Sequence, residues 1–452
     1  MKKKYLIFIT LLTLVFTNIL AEEGIKTIVI SAGKTLQSLD TVGSTIEVID
    51  SDAIKNSSYS LLADVINDNS TSTNFFRAGG VGSNTGVQLR GLEKRYSTVY
   101  IDGVKMMDPS SPDGSFYLDN LTKNGIEKVE ILKGTQSSLY GSNAIGGTIN
   151  IYTKKGNKGN HQSFEIETAS KNTNNVNYSL NGANEKFDYF LGLNKYLTDG
   201  ISTMNDNAEK DEYKNENIVG NFGYKINENF SLENSFRISD TYLEYDTVNR
   251  TASNDDNSTK NLEVSNSLKL KHEKNNFKNI LSSNKLQIDR GITTDTKTKY
   301  NYFGYRDALN YLGEYNINLD NKIVYGIDSE FDAARYYKGS LGFGTPNIEH
   351  DESIISQYFD YQFRPIKKLY ASFGLRSDDH TTVGRKTSGR SSVAYQLNGN
   401  SKIRSSFGSG VRMPALYDYK FADSNIVSKG GTLEQLLSLI HIWRCRRPLT
   451  CR

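Results

Sequence analysis

Few side chains in this sequence have the types and spacing that catalysis requires. His161, His272, His350 and His380 are scattered without metal-ligand spacing, and His441 lies near the end. Serine is abundant, but no Gly-x-Ser-x-Gly elbow with triad partners occurs. The run Gly141–Thr148 has the glycine density of a phosphate-cradling loop, yet it lacks the lysine that would reach the phosphates. Cys445 and Cys451 are the only cysteines, and Trp443 is the only tryptophan. All three fall in residues 441–452 with four arginines, an abrupt change that reads as foreign or out-of-frame sequence, so the cysteines are not taken as a disulfide or a metal pair. No enzyme activity and no catalytic cofactor are expected. The chemistry left is recognition. Thr27, Ile28, Val29, Ile30 and Ser31 form an extended, β-prone strip that could add as a strand to a partner's sheet edge. Arg90, Glu127 and Glu130 could make charge-assisted bonds in a wet interior.

Those residues need elements to hold them, and the chain falls into regimes. Lys2, Lys3 and Lys4 precede an apolar stretch, Tyr5–Leu20, and Ala21 supplies a small residue for cleavage: a signal peptide over residues 1–21. Residues 22–44 hold the strip and a flexible linker. Residues 45–156 mix short strands with short helices. Ser51 or Asp52 should cap a helical stretch carrying Ile54, Leu61, Leu62, Val65 and Ile66. Strands are expected near Val87–Leu89, Thr98–Ile101, Glu127–Leu132 and Thr148–Tyr152, which makes a compact α+β unit.

From 159 to 433 the period becomes two. Leu262, Val264, Leu268 and Leu270 share one face, with Glu263, Ser265, Ser267 and Lys269 opposite. Phe187, Tyr189, Leu191 and Leu193 repeat the pattern, as do Leu369, Ala371, Phe373 and Leu375. Short turns near Asn181–Asn184, Asn227–Asn229, Glu273–Asn276, Asp320–Asn321, Arg364–Lys367 and Asn398–Asn400 alternate with long polar connections. The long ones lie near Gly200–Asn215, Asp246–Lys260, Lys338–Asp351 and Asp379–Arg390. About thirteen strands of roughly 9–12 residues, apolar on one face only, describe a wall between lipid and a wet lumen. The fold class is a transmembrane antiparallel β-barrel, partial, with an α+β plug domain in its lumen. Composition agrees: 28 Tyr and 20 Phe against 6 Pro suit paired strands with aromatic girdles. Three signal lysines and four tail arginines account for the positive balance. Without them 47 basic residues face 51 acidic ones, so no nucleic-acid partner is implied.

Leu89-Arg90-Gly91-Leu92, Val99–Val104 with Asp102 and Gly103, Ile126–Gly134 and Ser137–Ile151 form an ordered series. It resembles the plug domain of TonB-dependent outer-membrane receptors across Thr27–Thr153. Val411–Tyr417 resembles a segment carried by the barrels of that family. The resemblance makes Arg90, Gly91, Asp102, Gly103, Gly134, Tyr140, Gly141, Gly146 and Gly147 plug-motif positions. Gly141, Gly146 and Gly147 are expected where plug packs on wall. It makes Thr27–Ser31 a TonB box, gripped by a TonB-type periplasmic energy-coupling protein. It implies a small-molecule metal complex as substrate, outer-membrane lipid around the wall, and an outer-membrane location after signal cleavage.

Substrate loops are expected at Ser83, Asn84 and Thr85 and at Asp108, Ser110 and Ser111. Within the family the chain is most similar to the cobalamin transporter group, which implies corrinoid cargo, with a ferric siderophore or haem second. That similarity also implies calcium in the extracellular loops, held by Asp211, Tyr245 and Asp246, with Asp206 and Asp256 adding oxygens. A passive porin or surface adhesin is the rival class. Full barrels of this kind have about 22 strands. With about thirteen, and an odd tail after Val411–Tyr417, the chain is expected to form an open, curved sheet and to aggregate or be degraded when expressed alone.

Overall fold

The computed structural model describes residues 27–112, 114, 116–202, 210–246, 257–294, 297–338, 348–398 and 401–417. The signal segment, the 441–452 tail, Asp206 and Asp256 lie outside the described residues.

The chain opens with a small hairpin, β1 (Ile28–Val29) against β2 (Gln37–Ser38). The plug follows. Strand β3 (Thr45–Ile49) leads to helix α1 (Ser51–Asn56), capped by Asp50, whose carboxylate accepts the Ala53 N–H at 2.9 Å. The cap is therefore one residue earlier than the sequence suggests, because Asp50 holds the extended backbone a cap requires. Helix α2 (Leu62–Asn69) buries Leu62, Ala63, Val65 and Ile66. Strands β4 (Thr73–Arg77) and β5 (Thr85–Leu89) pair with each other. Strands β6 (Ser97–Ile101), β7 (Val104–Lys105), β8 (Ile126–Lys133) and β9 (Gly147–Thr153) join β3 in a sheet of order β3-β8-β9-β6-β7. Helix α3 (Ser137–Tyr140) links β8 to β9. Leu62, Ile66, Leu89, Leu118, Ile131 and Ile149 are wholly buried between sheet and helices. Each stabilises the plug by about 1.5–3 kcal/mol relative to exposure.

Two plug-motif turns show why their residue types are needed. Asp102 and Gly103 both have positive φ, 49° and 93°, and close a two-residue hairpin between β6 and β7. The Asp102 carboxylate also accepts the Thr153 N–H at 3.0 Å, tying the hairpin to β9. Gly147 has φ 146°, and a Cβ there would run into the Leu132 carbonyl oxygen.

The wall is one thirteen-stranded meander, each strand antiparallel to the next. It runs through β10 (Gly159–Ala169), β11 (Thr173–Ala183), β12 (Phe187–Thr198), β13 (Tyr213–Lys225), β14 (Phe230–Tyr245) and β15 (Asn257–Lys274). It continues through β16 (Phe277–Thr293), β17 (Lys299–Asn318), β18 (Asn321–Lys338), β19 (Ile348–Ile366), β20 (Leu369–His380), β21 (Gly384–Gln396) and β22 (Lys402–Gly408). Among the described residues the order is linear, with β10 and β22 at the edges, and the sheet is not closed. The strand count and open sheet match the sequence reading.

Two details differ from that reading. Strands β13 to β19 run 13–20 residues, longer than expected. Asp379–Arg390 is mostly strand, because β20 and β21 stay paired up to His380 and Gly384. The long and short connections therefore do not alternate strictly. Wherever neighbouring strands satisfy each other's backbone groups further up, the connection shrinks.

On the outer face an apolar band begins at the short turns. Phe187 stacks on Phe222 at 6.4 Å and Phe277 on Tyr315 at 4.5 Å, a girdle of rings at this end. Eight positions higher the outer face turns charged, with Lys195 paired to Glu216 and Lys285 to Asp307. The alternation that builds the band puts the polar set of strands β11 to β21 inside, with Asn177, Asn217, Arg237, Glu263, Arg306 and Asp360 buried. The plug fills the curve of the sheet. Tyr213 donates to the Asp119 carbonyl at 3.0 Å, Arg237 to that of Asn120 at 2.7 Å, and Arg390 to that of Ala32 at 3.1 Å.

Candidate functional site

The N-terminal strip lies at the short-turn end of the wall and is folded against the plug. The β1–β2 pairing uses Ile28 and Val29. The carboxylate of Glu130, on the interior strand β8, accepts the N–H groups of Ile30 at 3.0 Å and Ser31 at 2.8 Å. Lys128 holds the same carboxylate at 2.6 Å, and Tyr140 donates to the Ser31 carbonyl at 2.7 Å. Val29 is buried with Leu132, Leu139 and Tyr358. Glu130 thus makes the charge-assisted bonds its type suggested, whereas Glu127 and Arg90 are exposed. Gly134 and Gly91 have positive φ, 87° and 75°. Of the three glycines expected at the wall, Gly141 alone faces it, where a Cβ would stand 3.1 Å from the Arg376 guanidinium. Gly146 and Gly147 instead pack inside the plug, against Ser97 and Leu132.

The two expected substrate loops sit towards the end of the long connections. The first is pinned from below. Arg77 bridges Asp64, at 2.6 Å, and Asp119, and Asp119 also accepts the Gly82 N–H at 3.3 Å. Burial raises the Asp119 carboxyl above its ordinary range against the pull of Arg77. Ser83 and Thr85 are buried, Thr85 bonding the Ser83 carbonyl at 3.0 Å, while Asn84 is exposed and accepts from Lys94 at 3.0 Å. The second loop is not open to cargo. Asp108, Ser110 and Ser111 are buried. Asp108 accepts from the Ser110 N–H at 2.8 Å and pairs with Arg290 of β16 at 2.7 Å. A loop whose carboxylate finds a wall cation docks on the wall, and the sequence could not show which strand supplied that cation.

Arg290 is the functional candidate that motif reading missed. Its guanidinium lies 5.6 Å from the Tyr117 ring and 5.1 Å from that of Tyr302. Tyr336 packs edge-on to Tyr302 at 5.7 Å, and Tyr417 meets Tyr336 at 5.9 Å. The signal was present in part: Arg290, Tyr302 and Tyr336 occupy polar-face positions of their strands. The Val411–Tyr417 segment closes this cluster, tied to the plug where Ser142 accepts the Met413 N–H at 2.8 Å. Amphipathic rings around a guanidinium can hold the rim of a planar or chelated ligand by stacking and hydrogen bonding.

The expected calcium donors are partly brought together. Glu244 donates its N–H to the Glu212 carbonyl at 2.9 Å, which sets Asp211, two residues before β13, level with Tyr245 at the end of β14. Ser202 donates to Asp246 at 3.1 Å. Among the described residues no group of three or more His, Cys, Asp or Glu side chains forms a metal cluster.

Residues 38–148 match the family described as TonB-dependent Receptor Plug Domain, and residues 158–434 match TonB dependent receptor-like, beta-barrel. The "Vitamin B12 transporter BtuB" of Photobacterium profundum is 23% identical over 370 residues, covering 77% of this chain and 56% of the relative. The protein of the same name from Vibrio vulnificus is 22% identical over 405 residues, covering 87% and 64%. The chain thus spans less than two thirds of the length of these relatives. Among solved structures, the ferric yersiniabactin uptake receptor FyuA from Yersinia pestis superposes with a TM-score of 0.65 at 14% identity, covering 79% of this chain and 62% of that one. The ferripyoverdine receptor of the outer membrane of Pseudomonas aeruginosa gives 0.69 at 14%, covering 82% and 57%. These two likenesses concern the fold.

Proposed function

Because the chain belongs to the TonB-dependent receptor family, a family of outer-membrane transporters and receptors, we propose that it imports a scarce metal complex with energy drawn from a TonB-type partner. The observation that carries this reading is the bond between strip and plug. Thr27–Ser31 lies at the short-turn end, where a periplasmic partner has access. Its backbone is anchored through Glu130 to β8, an interior strand of the plug sheet. A partner that pairs with the strip as an added strand takes over its main-chain bonds and pulls on β8. Cargo enters at the opposite end, over Asn84 and the ring cluster around Arg290. Loosening the plug then opens a polar way past the wall.

Corrinoid is the first cargo, supported by the sequence relatives. A ferric siderophore or haem is the second. A passive pore is disfavoured by the filled lumen. Calcium at Asp211, Tyr245 and Asp246 belongs to the same proposal, as does export of the chain through a cleaved signal over residues 1–21. The test is uptake of radiolabelled cyanocobalamin by cells carrying or lacking the receptor gene, with and without the partner. Uptake that needs both supports the reading. Uptake unchanged by loss of the partner overturns the energy coupling, and absent cobalamin binding passes the cargo to the iron complexes.

A further inference from the structure

A second compartment lies at the other end of the molecule from the ring cluster. It is a cavity of about 470 Å³ between plug strands β6, β7 and β9 and wall strands β14 to β18. That size is in the range of small-molecule sites. Its place beside the short turns follows from Lys278, one residue into β16, and Lys271, three residues from the end of β15. The strands that bound it are internal to the sheet, away from both edges.

Its walls differ sharply from each other. On the plug side stand the rings of Tyr100, Tyr140 and Tyr152, with Tyr358 of the wall beside them. On the facing wall stand Lys269 and Lys271, joined at the mouth by Lys155. Two of these three amines share one carboxylate: Glu233 pairs with Lys271 at 2.6 Å and with Lys155 at 3.0 Å. Lys269 donates to the Asp102 backbone carbonyl, and the Asp102 carboxylate is turned to Thr153. Deeper in, the charges balance: Lys105 and Arg306 both meet Glu330, at 3.3 and 2.7 Å, and Arg306 also meets Asp332 at 2.9 Å. The positive excess is therefore local to the mouth. A cavity with low-dielectric walls concentrates such a field and draws counter-ions into it.

We propose that this cavity is a binding site for an organic anion, one that sets a carboxylate or phosphate between Lys269 and Lys271 and its apolar body on the tyrosine rings. The site stands on these residues alone. If the import reading holds, an anionic cargo rests here after passing the plug, so the failure of either statement leaves the other standing.

The test uses the receptor expressed from its own gene and held in nanodiscs, with 1-naphthyl phosphate as probe and calorimetry as readout. Saturable binding is expected, weaker with inorganic phosphate, which lacks the apolar body. The pair Lys269→Gln and Lys271→Gln should weaken the probe by about tenfold or more, the scale of a lost charge-assisted contact. The pair Lys269→Arg and Lys271→Arg should retain it, which separates charge from folding. Cargo binding at the long-connection end should be unchanged in both. Equal probe affinity in the parent and the glutamine pair overturns the site. So does binding of inorganic phosphate as tight as that of the probe, because the rings then add nothing.

Discussion

Lys34 and Asp328 face each other at 3.7 Å across the boundary between plug and wall. Lys34 lies three residues beyond the N-terminal strip, with φ 56°, and its ammonium also lies 4.3 Å from the Tyr358 ring and 5.5 Å from the Tyr140 ring. Asp328 is shared with Arg376 at 2.8 Å. The strip therefore has an ionic anchor on the wall in addition to its hydrogen bonds to Glu130.

That anchor is pH-sensitive in a direction that can be worked out. Burial lowers the Lys34 pKa, and it outweighs the attraction of Asp328 and Glu330; Arg376 and Lys105 push the same way as burial. The docked segment thus holds its proton less tightly than a released one. Docking should strengthen as pH rises towards the ordinary lysine value, through the window between the lowered and ordinary values. A nitroxide at Ile28→Cys, with Cys445→Ser and Cys451→Ser, reports the mobile fraction. It should fall with pH in the parent and stay flat in Lys34→Met. A mobile fraction that climbs with pH would contradict the assignment.

Glu130→Gln removes the charge from the acceptor of two strip N–H groups. Hydrogen bonds to charged groups contribute about 1.5–3 kcal/mol, so the same label should become visibly more mobile. Cargo affinity at the cell surface should not change. Unaltered label spectra would mean that Glu130 does not hold the strip.

Ile28→Pro deletes a backbone donor in the segment that a partner strand must pair with. Surface binding of cargo should persist while uptake stops. Normal uptake in this variant would remove Thr27–Ser31 from the coupling mechanism.

The Asp108–Arg290 pair is buried on both sides. Arg290→Ala strands a carboxylate and should destabilise the docked loop by about 3–5 kcal/mol, visible as new protease cutting near Ser110. The double change Arg290→Ala with Asp108→Ala should be milder, because neither charge is left alone. If single and double variants are cut alike, the pair is not what docks the loop.

Calcium should bind where Asp211 and Tyr245 stand level, with Asp246 beside them. Calorimetry on the receptor at millimolar calcium should give heat that Asp211→Asn with Asp246→Asn abolishes. Identical titrations for parent and variant would remove these residues from the site.

Much of the architecture was legible because periodicity reports it directly. Leu262 to Leu270 alternate in sequence, and the structure puts Leu268 and Leu270 on the exposed outer face. The plug strands were likewise marked by apolar runs between glycines. Strand length was not legible, since residues such as Lys285 and Asp307 break an apolar pattern without ending a strand; they pair with each other across it. The cation for Asp108 was hidden for another reason. Arg290 is 182 residues away, and only the register of β16 decides that it meets the loop. The Glu130 clamp is half visible: its type points to charge-assisted bonds in a wet interior, but only the fold shows that its partners are backbone N–H groups of the strip.

The charged pairs on the outer face mark a waterline. In β17 the apolar band gives way at Asp307, leaving Lys299 to Arg306 above it. At about 3.3 Å per residue and a tilt near 40°, that upper stretch stands about 20 Å clear of the lipid. The open sheet thus carries a tall rim of paired strands beyond its apolar band. Large visitors from outside, such as antibodies or toxins, meet a rigid parapet of paired strands before they meet any lipid.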